Sequence, residues 1–75
     1  MWINIIDEPV PTYGKHGQTF LLLLYYNNYY GHATTATNNS EIVTARWDSV
    51  NEAFYEVKTG LEIDSREVVE WWKDT

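Results

Sequence analysis

The chain contains no cysteine, so disulfide bridges, cysteine-based zinc sites and thiol nucleophiles are excluded together. Cations are scarce: five Lys and Arg stand against eleven Asp and Glu, a formal net charge of −6. That balance argues against direct binding of nucleic acid, whose affinity comes from neutralising phosphates. No apolar run is long. The longest, Phe20 to Tyr26 (FLLLLYY), has seven residues, whereas a membrane-spanning helix needs about 20. A secretory start is missing too, because Met1-Trp2-Ile3-Asn4 leads into Asp7 and Glu8 without a basic, apolar and small-residue progression. These absences predict a cytoplasmic protein that does not enter a membrane, and they make the acceptor-like Asn38-Asn39-Ser40 a chance match.

What is present suits one small domain covering residues 1–75. Apolar residues form 44% of the chain and aromatics 16%, enough to offset the ordering cost that leaves charged, aromatic-poor chains unfolded. Without a covalent staple, packing must hold the domain together, and a second copy can contribute.

Prolines and glycines number two and four, and both prolines and two glycines fall within Asp7 to Gly17 (DEPVPTYGKHG), which predicts a loop or series of turns. Thr19 to Tyr26 has the length of one strand, and its continuous apolarity predicts a central strand, buried on both faces or on one face plus a partner. Asn27-Asn28 reads as a turn, with Tyr29-Tyr30 resuming strand chemistry beyond it, and Asn38-Asn39-Ser40 reads as a break. Ile42 to Trp47 alternates, with Val43, Ala45 and Trp47 on the better core face. Asp48-Ser49 turns the chain into Ala53 to Val57, and Lys58-Thr59-Gly60 turns it into Leu61-Glu62-Ile63.

The last segment is open between two readings. Asp64-Ser65-Arg66-Glu67 fits a capping box, and Val68, Trp71 and Trp72 share one helical face. The β-branched Val68-Val69 pair and the two indoles favour a strand. The expected fold is therefore α+β and mostly β: a meander-like antiparallel sheet of about four to five strands, ending in a short helix or a final strand.

Trp2-Ile3, Asp7-Glu8-Pro9-Val10-Pro11, Gly14 or Gly17, Phe20 to Leu24 and Val68-Val69-Glu70-Trp71-Trp72 follow one another in an order that resembles a family of short phage and prophage proteins carrying a domain of unknown function. The resemblance spans nearly the whole chain. It favours a strand for the last segment, implies residence in the host cytoplasm, and transfers no catalytic residue.

Four tryptophans and six tyrosines are a high aromatic load. Many must build the core, but neighbours on a strand point to opposite faces, so Tyr25-Tyr26, Tyr29-Tyr30 and Trp71-Trp72 each place one ring outside. Tyr29, Tyr30, Trp71 and Trp72 are thus candidates for a contact surface, by self-association, by a protein partner, or by stacking on a sugar or base. Residues Glu41 to Thr75 carry nine acids against four bases, a net −5, so the charge is concentrated. Glu62, Glu67 and Glu70 are the carboxylates expected to face a basic partner, since complementary potentials speed and select association. Phage proteins that block host nucleic-acid enzymes often present such acidic surfaces, so the resemblance implies a basic host protein.

Other patterns carry less. His16 and His32 with Asp7 and Glu8 match no metal-ligand spacing, and no metal or cofactor is expected. Gly14-Lys15-His16-Gly17 imitates a backbone clamp of RNA-binding domains but lacks basic surroundings, so a turn is expected. The pairs Glu67 and Glu70, or Glu62 and Asp64, can be drawn as acid and base, yet no nucleophile order accompanies them, and no catalytic residue is assigned. The expected function is binding by a small acidic accessory protein that forms a homo-oligomer. A ligand-stacking module is the alternative, and an enzyme the third.

Overall fold

A computed structural model describes residues 1–28 and 37–74. They form one antiparallel sheet of six strands: β1 (Trp2–Asn4), β2 (Thr19–Asn28), β3 (Thr37–Asp48), β4 (Ala53–Glu56), β5 (Glu62–Ile63) and β6 (Val68–Trp72). The spatial order is β1-β6-β2-β3-β4-β5. Strands β2 to β5 follow one another as a meander. The last strand then crosses back to lie between β1 and β2, which adds one strand to the expected count and leaves the Leu-rich β2 in the interior of an open sheet.

The core lies on one face of this sheet. Leu22 and Leu24 of β2, Val43 and Ala45 of β3, and Val68 and Trp71 of β6 are buried, and Ile3, Phe20, Phe54 and Ile63 pack against them. Val43 and Ala45 confirm the odd-numbered core face expected for β3. Aromatic edges fill the β3–β4 side, with Phe20 and Phe54 T-shaped at 5.9 Å and Trp47 tilted on Phe54 at 4.9 Å.

Residues 5–18 cover that face as a chain of turns. Ile5 and Val10 pack onto the core, and the Trp71 indole Nε1–H donates to the Glu8 carbonyl at 2.8 Å. Gly14 and Gly17 have φ of 69° and 81°, left-handed values that suit glycine. Lys15 N–H donates to the Thr12 carbonyl and Gln18 N–H to that of Lys15, so the clamp-like tetrapeptide is a pair of turns.

The C-terminal segment resolves as a strand after one 3-10 turn, Ser65–Glu67. Asp64 caps that turn by accepting the Arg66 N–H, but no longer helix follows, because Val68 and Val69 continue into the β6 ladder. Register shifts between Leu23 and Leu24: Leu23 pairs Glu70, and Leu24 pairs Val68. Val69 is the extra residue of this bulge. The bulge lets Val68 and Trp71, three residues apart, both point into the core.

Two expected breaks are corrected. Asn27 and Asn28 do not turn but pair with Asn38 and Thr37, and Asn38-Asn39-Ser40 lies inside β3. Ladder pairing inherited from the apolar part of the hairpin overrides the weak strand preference of asparagine. Tyr29, Tyr30 and His32 fall outside the described residues. Among the described residues, no helix is long and apolar enough to cross a membrane.

Candidate functional site

Two surfaces collect the residues singled out by sequence. The first is the face of the sheet opposite the core. Leu21, Leu23 and Tyr25 alternate with the buried Leu22 and Leu24, so they point outward. Leu21 is 39% exposed and Tyr25 46%, and Ile42, paired with Leu23, is 57% exposed. On the other flank Trp72 is 39% exposed and meets Trp2, its partner on β1, edge to face at 5.5 Å. An apolar strip therefore crosses β1, β6, β2 and β3 on a side that no segment among the described residues covers. Antiparallel sheets with one solvated face normally place polar residues there.

Trp71 and Trp72 part company as the doublet rule requires. Trp71 is 4% exposed and belongs to the core, so its indole offers no stacking surface. Trp72 borders a cleft of about 630 Å³ with Phe20, Leu21, Glu8, Lys73 and Asp74. Two polar contacts are made at this cleft: Trp72 Nε1–H donates to Asp74 Oδ1 at 3.0 Å, and Lys73 Nζ lies 3.2 Å from Glu8 Oε2. Glu70 lies away from this cleft, paired with Asn4 and Leu23 on the open face.

The second surface is the end of the core face where the cover of residues 5–18 runs out. Glu41 of β3, Glu56 of β4, Glu62 of β5, Asp64 and Glu67 line one hollow of about 260 Å³, together with Leu24, Leu61 and Ile63. Of the carboxylates predicted to face a partner, Glu62 and Glu67 border this hollow and Glu70 does not; Glu62, paired with Tyr55 and through it aligned with Arg46, belongs by register to the open face. Glu41 and Glu56 were singled out by no motif. Their signal was register alone, since Glu41 pairs with Leu24 and Glu56 with Ala45 on the core side.

Arg66 is tied to this rim. Its Nη2 lies 2.7 Å from Asp64 Oδ2, and Nε–H donates to Oδ1 at 3.1 Å. The Arg66 side-chain bond, and then its backbone N–H, hold the Asp64 carboxyl at about 2. Elsewhere the Asn51 backbone N–H, with that of Val50, holds Asp48 below the ordinary carboxylate range in the β3–β4 turn. His16 pins the same turn, its Nδ1 accepting the Ser49 N–H at 3.0 Å. Among the described residues, no three His, Asp or Glu side chains are placed to hold a metal ion.

The chain matches no protein-family model, no curated protein and no solved structure.

Proposed function

We propose that this protein acts by binding another protein, and that its carboxylate-lined end receives the partner's cations. The observation that carries this reading is the gathering of Glu41, Glu56, Glu62, Asp64 and Glu67, from separate segments, around an apolar floor of Leu24 and Ile63. At this rim Arg66 pairs with Asp64. A segment bearing several Lys or Arg around an apolar side chain complements both features. The phage setting and a basic host protein as target rest on the sequence resemblance. Stacking on a sugar or base has less behind it, because Trp71 is buried and the Trp72 N–H is already given to Asp74.

Parallel affinity capture tests the reading, with immobilised wild type and an E56Q/E62Q/E67Q variant. The wild type should retain a basic protein at low salt and release it as salt rises, while the variant retains little of it. Equal retention by both, or retention insensitive to salt, contradicts it.

A further inference from the structure

We propose that the open face of the sheet is the interface of a homodimer, in which two copies pack sheet on sheet about a two-fold axis near Leu21. This is independent of the hollow bordered by Glu41 and Glu56, which lie on the core side.

The outward row of β2 is as apolar as its inward row. Leu21, Leu23 and Tyr25 point away from the core, and Trp72, Trp2 and Ile42 extend the strip onto neighbouring strands. Among the described residues no segment covers it: residues 5–18 are committed to the other face through Glu8, Val10 and Gly17.

Charge placement favours a second copy of this chain over an unrelated apolar partner. Arg46 pairs with Thr19 on one flank of β2, and Glu70 pairs with Leu23 on the other. Leu21 therefore lies midway between a cation and an anion, all three on the open face. Neither charge is in an ion pair within the chain among the described residues. A two-fold axis that exchanges the two positions sets Arg46 of each copy against Glu70 of the other, giving two equivalent pairs around an apolar centre. Facing sheets with interdigitated side chains, packed about 10 Å apart, suit such a strip.

Sedimentation velocity at tens of micromolar in physiological salt tests the proposal. The wild type should sediment as a species of twice the 8.8 kDa chain mass. R46E and E70R should each weaken association by about tenfold or more, and R46E/E70R should restore it to within about threefold. L21K should give a folded monomer with an unchanged far-ultraviolet spectrum. Should L21K not fold, the charge exchange still decides the matter, because Arg46 is exposed and Glu70 half-exposed. A wild-type monomer overturns the proposal. So does a dimer that R46E leaves intact, or a double variant that fails to recover.

Discussion

Asp64 joins three tasks in one carboxylate: it accepts the Arg66 N–H at 2.9 Å, holds the Arg66 guanidinium, and ends the approach to β6 with a single 3-10 turn. Its titration near 2 lies below the ordinary 3.8. A folded value below the unfolded one means that its stabilising effect is complete above about pH 4 and is lost as pH falls through about 2. A carbon-detected titration of the Asp64 carboxyl should show a midpoint near 2, and R66Q should return it toward the ordinary range. An unchanged midpoint in R66Q would contradict the assignment to Arg66. Residue chemistry of this kind was legible in part. The Asp64 cap could be read from four consecutive letters, whereas His16 meeting Ser49 joins positions 33 apart, and no local pattern announces that.

At the scale of elements, β2 divides its leucines by pleat alone. Leu22 is fully buried and Leu21 is 39% exposed, although the two are chemically identical neighbours. L22A should destabilise the fold by about 2 to 5 kcal/mol, a large share of the roughly 4 to 11 kcal/mol that a chain this size has in total. L21A should change urea unfolding of the monomer by less than about 1 kcal/mol. Equal losses would show that both faces are already buried within one chain. The central position of β2 and the inward face of β3 were readable because apolar alternation is a local signal. The β6 bulge shows where that signal misleads: Val68 and Trp71, three apart, imitate one side of a helix, and only the Leu23/Leu24 register shift explains their shared burial. The hairpin end was misread for a related reason, since Asn27 and Asn28 take their conformation from a cross-strand ladder rather than from their own preference.

For the whole molecule, return of β6 between β1 and β2 was not legible, because no residue in Val68–Trp72 encodes which edge it will join. That half of the apolar run would face away from the core was legible, since a strand in a single-layer sheet turns alternate residues to opposite faces. The two proposed interfaces should answer salt differently. Capture of a basic partner at the carboxylate-lined end weakens as salt rises. Self-association through the open face persists, because an apolar centre is unaffected by screening and enclosed Arg46–Glu70 pairs are screened less than exposed ones. The central claim, that the strip on the open face is covered by a second copy, can be read directly from methyl groups. A soluble paramagnetic probe should broaden the methyl signals of Leu21, Leu23 and Ile42 in dilute protein and spare them in concentrated protein, while Ile6 and Leu61, 88% and 69% exposed, broaden in both. Equal broadening of Leu21 and Ile42 at every protein concentration would contradict the account.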